Sequence, residues 1–345
     1  MLHKIELPFP PEKLAGIFAL QMQLLELASQ VKKIDKTALI EYLKDEKLVD
    51  WLMTTYQRTI GPLNSFAEKC PDDVKSSILT ELKNDYEFWL KIGEPTFSFV
   101  FVADEPNRRI VTVWLQGYYD QFCRGIDEVV TRVEFINKAK WVDAYKAANP
   151  EVRICPVCNG SLQRGIEIEH YFPRGKYPVL SVHASNMVPT CGDCNDYKEM
   201  KDPLNYGRFT ELPLPYVHSI LESVDVVATQ IDGNYQFSLV TSDLQKVPSL
   251  TVLSGLFGIP ERWNKRDSVK AIVDLAISKI EEKIDADRTD GKVALSEKDF
   301  LNQLEVLCDS IDKQKSKQAH FVPVGSWLRW AKENIAGQLY KQICI

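Results

Sequence analysis

The side chains that can do chemistry are concentrated between residues 155 and 198. This stretch contains two C-x-x-C pairs, Cys155 with Cys158 and Cys191 with Cys194. Four thiolates in two short turns can surround one tetrahedral Zn²⁺ ion, and two such pairs close together are a strong indication of a zinc site. A zinc ion with four cysteine ligands has no open position, so we expect it to stabilise the fold and not to catalyse. Catalytic residues must then be sought between the pairs.

The segment between the pairs predicts a strand, a long loop, a second strand and a helix. Residues 166–169 alternate between isoleucine and glutamate, which predicts a short strand that ends at His170 and is broken by Pro173. Residues 185–190 predict the second strand, and a helix is expected to begin at residue 192. A unit this small cannot bury much apolar surface, so we expect the zinc ion to supply much of its stability.

These residues, in this order and spacing, resemble the HNH endonucleases, the ββα-metal nucleases, in the branch that carries a zinc knot. The family pattern is C-x-x-C, then Asp/Glu-His-x-x-Pro, then Asn-Leu-Val-Pro, then C-x-x-C-Asn-x-x-Lys. The chain has Cys155-Pro-Val-Cys158, Glu169-His170-Tyr-Phe-Pro173, Asn186-Met-Val-Pro189 and Cys191-Gly-Asp-Cys194-Asn195-Asp-Tyr-Lys198. The resemblance covers residues 155–198 of a 345-residue chain.

The resemblance implies a role for each matching residue. His170 is similar to the general base that takes a proton from the attacking water, a role that needs a neutral imidazole. Glu169 and Asn195 correspond to the ligands of a catalytic Mg²⁺ or Mn²⁺, ions that prefer oxygen ligands. Asn186 corresponds to a structural residue that holds the long loop and helps to orient His170.

Two cations of the motif are expected to contact substrate phosphates. Lys198 lies three residues after Asn195 and so on about the same helix face. Arg174 stands where the family commonly has lysine. The chain also has Glu169 where aspartate is more common, and Asn195 where some members have histidine. Cys194 and Asn195 are adjacent on the predicted helix and point about 100° apart, so the zinc ligand would aim its neighbour at the catalytic metal.

The rest of the sequence predicts an α+β protein with the zinc-knotted HNH core in the middle. We expect a mostly helical domain over residues 1–150, the nuclease core over 151–208 and an α+β domain over 209–345. Asp232-Gly233-Asn234 is a hairpin signal between two predicted strands. Helical patterns occur at 13–31, 36–58, 70–95, 108–147, 249–266, 266–284, 298–316 and 325–343, and residues 96–106 read as a strand or a buried extended segment.

Composition limits where the protein acts and with what. No apolar run long enough for a membrane span and no signal peptide are seen, so a cytoplasmic, non-membrane protein is expected. The net charge of −6 argues against unaided tight DNA binding, because phosphate attraction dominates such affinity. Segments after the knot loosely resemble bacterial HNH proteins, some of which are anti-phage defence effectors that act with an ATPase. A partner of that kind would supply nucleic-acid affinity.

Several assignments stay open at this stage. DNA is the expected substrate, but an RNA-directed nuclease toxin uses the same motif. A non-catalytic zinc module that binds nucleic acid or a protein is the alternative from another functional class. His183 is expected to be a surface residue of the loop. Lys138, Lys140 and Lys146 form a basic cluster that we read as a solvated helix face, with guidance of a nucleic-acid backbone as the alternative.

Overall fold

The structure, a computed structural model, is an α+β fold made mostly of helices, and its described residues contain two small antiparallel sheets. Within the part of the chain that it describes, no helix is both long and apolar enough to cross a membrane. The described residues are 3–8, 12–126, 128–131, 136–162, 165–220, 223–231, 234–265, 269, 271–275, 277–278, 280–282, 296–315, 317 and 321–344.

The N-terminal part of the chain is helical, as its apolar periodicity predicts. Buried leucines, isoleucines and aromatic residues of these helices join the same hydrophobic core as the residues around the cysteines. The helices are α1 Glu12–Gln30, α2 Lys36–Leu43, α3 Glu46–Thr54, α4 Tyr56–Thr59, α5 Gly61–Lys69, α6 Asp72–Tyr86, α7 Pro106–Arg124, α8 Glu128–Thr131 and α9 Lys138–Ala148.

The single helix predicted over residues 36–58 is wrong, because this stretch forms α2, α3 and α4. Lys44 adopts the left-handed conformation at φ 54° and ends α2. The next residue, Asp45, starts α3, since its carboxylate accepts a hydrogen bond from the backbone N–H of Leu48 at 3.0 Å. An apolar pattern that continues through a cap hides the break, because periodicity does not report backbone handedness.

Residues 166–198 form the strand, loop, strand and helix that the sequence predicts. Strand β1 spans Glu167–His170, strand β2 spans Met187–Thr190, and helix α10 spans Gly192–Lys198. The strands are antiparallel, with Glu169 opposite Val188. Short 3₁₀ turns at Pro178–Leu180 and Ala184–Asn186 order the loop between them.

The C-terminal part contains the predicted hairpin and further helices. Strands β3, Asp225–Ile231, and β4, Asn234–Val240, pair in antiparallel register, while the turn residues 232–233 lie outside the described residues. The helix predicted over 249–266 is divided at Gly258, whose φ of 53° suits glycine. Of the helix predicted over 266–284, the described residues 269, 271–275, 277–278 and 280–282 are helical, and the others lie outside the described residues. The remaining helices are α11 Val247–Phe257, α12 Ile259–Lys265, α13 Glu297–Gln314, α14 Phe321–Asn334 and α15 Ala336–Cys344.

Residues 97–102 are neither helical nor paired as a strand with any described residue, residues 103–105 form a turn, and α7 begins at Pro106. The buried Asp85 binds the backbone of the first of these stretches. Its carboxylate accepts hydrogen bonds from the backbone N–H groups of Val100 at 2.8 Å and Phe101 at 3.1 Å. These bonds satisfy two backbone N–H groups that a strand ladder would otherwise pair, and of this stretch Phe101 is buried while Val100 and Val102 are exposed.

His183 is buried, and the expectation that it lies on the surface is wrong. Its ring contacts the rings of Tyr86 and Phe88 at centroid distances of 4.8 and 5.0 Å. Its Nδ1 accepts a hydrogen bond from the Ser185 backbone N–H at 3.2 Å. Burial lowers the pKa of His183 to about 3, so the ring is a neutral member of an aromatic cluster.

This histidine should make stability fall in acid. The unfolded chain takes up a proton at His183 below its ordinary pKa of about 6.5, whereas the folded chain does not until about pH 3. Its contribution is therefore complete above pH 6.5 and is lost as the pH falls. We expect His183→Phe to flatten the decline between pH 6.5 and 4 by up to about 1.4 kcal/mol per pH unit, measured by urea unfolding of both proteins. Parallel declines in the two proteins would contradict this.

Candidate metal centre and catalytic cluster

The four cysteine sulfurs converge on one point. All four Sγ atoms lie within 4.8 Å of one another, and all four cysteines are buried. Cys155 and Cys194 are 3.8 Å apart at sulfur, and Cys158 and Cys191 are 3.7 Å apart. Tetrahedral zinc with Zn–S bonds of about 2.3 Å requires sulfurs about 3.8 Å apart. The cluster therefore fits a zinc ion, and it can bind one.

The C-terminal part of the chain supplies a cation to this cluster that sequence reasoning missed. The Arg262 guanidinium of α12 donates from Nη2 to the Cys194 sulfur at 2.9 Å. The next residue, Trp263, donates from its indole N–H to the Cys158 carbonyl at 3.0 Å. Four thiolates around a Zn²⁺ ion would carry two excess negative charges, so the half-buried Arg262 would offset part of them. The local signal for this contact is weak, since it consists of an arginine next to a tryptophan on a predicted helix.

Asn159 ties both ends of the chain to the cysteine turn. This residue follows Cys158, adopts φ 58° and is fully buried. Its side-chain amide contacts His3 Nε2 at 2.9 Å and donates to the Lys315 carbonyl at 2.7 Å. Its Oδ1 accepts from the Val322 backbone N–H at 3.1 Å. A residue that the motif treats as a spacer thus connects the knot to residue 3 and to α14.

His170 ends β1 with its imidazole held in one tautomer. Nε2 lies 2.8 Å from the Ser181 carbonyl oxygen, which can only accept a hydrogen bond, so Nε2 carries the proton and Nδ1 has a free lone pair. The side chain is 7% exposed. Burial lowers the pKa of His170 to about 4, and the positive charge of Arg174 lowers it further. The hydrogen bond to Ser181 acts in the opposite direction and raises it.

Asn186 braces the loop that supplies the Ser181 carbonyl. Its Oδ1 accepts from the Phe172 backbone N–H at 2.7 Å. Its amide donates to the carbonyls of Phe172 and Leu180, both at 3.0 Å. The amide is fully buried and its hydrogen bonds join the two ends of the loop, one of them beside Ser181. The position of the His170 partner is thereby fixed.

Lys198 is placed differently from the sequence expectation of a phosphate contact. Its side chain is 0% exposed, and its Nζ donates to Glu169 Oε1 at 2.9 Å. Burial raises the pKa of Glu169 and lowers the pKa of Lys198, and the opposite charge of each partner works against both shifts. The Lys198 ammonium therefore forms an ion pair with a buried carboxylate and does not face solvent. The spacing on the helix was correct, but it did not show that β1 covers this face.

Asn195 lies one helical turn before Lys198 on α10, and α10 packs against β1. The two residues lie about 60° apart around the helix, and Lys198 is the one that contacts Glu169 on β1. The Asn195 side chain is partly exposed, and no group among the described residues forms a hydrogen bond with its amide. The carbonyl oxygen of this amide is thus available to a ligand.

Helix α7, which belongs to the N-terminal part of the chain, packs against His170. The Tyr119 ring meets the His170 ring edge-on at a centroid distance of 4.5 Å. The Arg174 guanidinium lies 4.9 Å above the same tyrosine ring and 3.5 Å from Asp120. The Arg174 side chain is 41% exposed, so it stands at the boundary between the buried histidine and solvent. Tyr119 was not singled out in the sequence, because nothing local connects it to the motif.

No protein-family model matches this chain, and neither a curated protein nor a solved structure matches it. The geometry of residues 155–198 and their neighbours is therefore the basis for a functional proposal.

The metal centre predicts one zinc ion per chain. We expect Cys191→Ser to lose that zinc and to unfold at a lower temperature than the wild type, because the three remaining thiolates cannot close the site. Cys123→Ser is the matched control, since Cys123 is exposed and lies outside the cluster. Zinc content by atomic spectroscopy and thermal unfolding by circular dichroism are the measurements. Equal zinc content in both variants would contradict the assignment.

Arg262 should slow the loss of that metal. We expect Arg262→Met to release zinc to a chromogenic chelator about tenfold faster than the wild type, because partners of metal ligands commonly change affinity by 10–100-fold. Arg208→Met is the control, as Arg208 is an exposed arginine that pairs with Glu211. An unchanged release rate for Arg262→Met would show that the guanidinium does not stabilise the thiolates.

Proposed function

We propose that the protein is a metal-dependent endonuclease of the HNH type that hydrolyses phosphodiester bonds in nucleic acid, with DNA as the expected substrate. The observation that carries the proposal is the His170 imidazole. Its proton is on Nε2, bonded to Ser181 at 2.8 Å, and Nδ1 has a free lone pair. This is the form that a general base requires. Its neighbour in the strand, Glu169, and the facing helix residue Asn195 supply the oxygen donors that the chemistry needs.

His170 would take the proton from a water molecule that attacks the phosphorus. The Ser181 carbonyl, bonded to Nε2–H, would stabilise the imidazolium that forms, since a carbonyl oxygen is a favourable neighbour for a charged N–H. Asn186 holds the loop and acts on the reaction only through the position of that carbonyl. Its role is positioning.

Glu169 and Asn195 are the residues that would hold a catalytic Mg²⁺ or Mn²⁺. Their carboxylate and amide oxygens are the donors such ions prefer. Lys198 occupies Oε1 of the carboxylate, which leaves Oε2 for a cation. When bound, the ion would stabilise negative charge on the phosphate and on the leaving oxygen. The structural zinc would act only by fixing Cys194 and, with it, the next residue.

The two cations of the motif would divide their work. Lys198 would orient Glu169, because its buried ammonium contacts that carboxylate directly. Arg174 would contact substrate, because its exposed guanidinium lies at the edge of the His170 site. An exposed arginine can form paired hydrogen bonds with phosphate oxygens.

A protein partner fits the acidic chain. With a net charge of −6, long-range attraction to nucleic acid is weak, and phosphate contacts usually supply most of that affinity. We propose that an ATPase or another component of an anti-phage defence system delivers the substrate or controls the activity. Purification of the tagged chain from its native host, with and without nuclease treatment, would test for that partner.

A non-catalytic zinc module is the second candidate function, and the Glu169–Lys198 ion pair is the observation in its favour. A cation already neutralises the carboxylate, as in a purely structural site. Under this reading His170 is a buried core residue. The two functions differ in whether the imidazole is required for cleavage.

The proposed function predicts that His170→Ala cleaves supercoiled plasmid 10²–10⁴-fold more slowly than the wild type in Mg²⁺ or Mn²⁺, which is the usual contribution of a general base. His218→Ala is the matched control. Because His218 lies outside the site, this variant should cleave the plasmid at the wild-type rate. Zinc content and the circular dichroism spectrum should be the same in all three proteins. This shows that lost activity is not lost folding.

Single-stranded DNA and RNA are tested beside the plasmid. Undiminished cleavage by His170→Ala would reject the assigned base. No cleavage of any substrate by a zinc-loaded wild type, with a co-purified partner present, would favour the non-catalytic module.

A further inference from the structure

A cavity of about 360 Å³ lies beside the first cysteine turn, outside the site described above. One wall comes from the end of α9, with Tyr145 and Lys146. Another comes from Val152 and Arg153, just before Cys155, and the segment that leads into β1 closes the cavity with Leu162 and Ile166. Pockets of this size accommodate small organic ligands.

The cavity is preformed. Asn149 fixes the turn after α9, because its side chain accepts from the Glu6 backbone N–H at 2.6 Å and donates to the Glu6 carbonyl at 2.9 Å. An antiparallel bridge between Ile154 and Ser161 joins the two arms of the cysteine turn. A ligand would therefore meet fixed walls and lose little free energy to ordering them.

Two cations stand at the edge of the cavity in an acidic protein. Lys146 and Arg153 are exposed, and no carboxylate among the described residues forms an ion pair with either. The nearest acid to Arg153 in sequence, Glu151, is paired with Lys317. Lys138, in contrast, is neutralised by Glu167 at 2.8 Å. The members of the basic cluster predicted on α9 therefore differ: Lys138 is in an ion pair, whereas Lys146 lines the cavity.

The remaining surface suits a sugar or a base. Val152, Leu162 and Ile166 are apolar, and Tyr145 adds an aromatic side chain. An apolar wall with cations at the rim is complementary to a nucleotide, which has a flat apolar base and a charged phosphate. An inorganic anion alone would leave the apolar wall without a partner.

One wall of the cavity lies close to His170 along the chain. Ile166 directly precedes β1, and His170 ends that strand. A strand rises about 3.3 Å per residue, so the two positions are about 13 Å apart, or about four nucleotide rises of B-form DNA.

We propose that this cavity binds one nucleotide of the substrate strand a few positions from the bond that is cut. Its phosphate pairs with Lys146 and Arg153, and its base or sugar packs on Leu162 and Ile166. That the nucleic-acid strand continues from the cavity to His170 rests on the proposed nuclease function. Binding in the cavity can be measured without cleavage.

The test is fluorescence anisotropy of a short fluorescein-labelled oligothymidylate with the full chain, in buffer without Mg²⁺ or Mn²⁺. We expect Lys146→Glu combined with Arg153→Glu to weaken binding about tenfold or more, and to reduce the slope of log Kd against log salt by about 1–2. Lys47→Glu combined with Lys341→Glu is the control, because it makes the same change in net charge at exposed lysines elsewhere. Equal zinc content shows that the cysteine turn is intact.

Equal weakening of oligonucleotide binding by both double variants would overturn the proposal, since it would show that the loss depends on net charge and not on the cavity. Thymidine 5′-monophosphate is the second probe. If the cavity variant lost the mononucleotide but kept the oligonucleotide, the site would belong to a free nucleotide and the assignment to the substrate strand would fall. Plasmid cleavage is scored separately. A wild type that does not cleave with a co-purified partner present, yet binds oligonucleotide through Lys146 and Arg153, would reject the nuclease function and support nucleotide binding in the cavity.

Discussion

The convergence of four buried sulfurs within 4.8 Å is the constraint on which the middle of the molecule depends. Thiolates this close repel one another in a low-dielectric interior unless a cation lies among them. A Zn²⁺ ion held by the four sulfurs would supply that cation, and the Arg262 guanidinium adds a positive charge at 2.9 Å from Cys194. The hydrogen bonds of Asn159, which follows Cys158, connect the cysteine cluster to residue 3 and to α14. Chain segments that are remote in sequence are thus held by one cluster.

The cluster also explains how such short elements can carry a defined site. Strands β1 and β2 have four residues each and α10 has seven, which is too little for independent stability. Cys191 and Cys194 fix the start of α10, and the Glu169–Lys198 ion pair fixes its last residue against β1. A buried ion pair costs desolvation and adds little net stability. It does, however, specify one orientation of the carboxylate.

The sequence predicted the parts of this arrangement that are encoded locally. The alternation at 166–169 located β1, and the cysteine spacing located the metal centre and α10. Local patterns did not reveal that Lys198 is buried, because the carboxylate it meets is on another element. They also missed the burial of His183, since the aromatic cluster around it comes from α6 and the 3₁₀ turn Glu87–Lys91. The break at Lys44 was missed for another reason, because a left-handed non-glycine residue has no distinct hydropathy signature.

Helix α7 shows that the N-terminal part belongs to the site. The loop residue Ser181 accepts from His170 through its carbonyl, and its hydroxyl donates to the Leu115 carbonyl at 3.1 Å. One turn further along the same helix, Tyr119 packs edge-on against the imidazole. The histidine is therefore held on one side by a loop that α7 anchors and on the other by α7 itself. A shift of that helix would move both supports together, so the tautomer and the exposure of His170 depend on a helix that lies outside the motif.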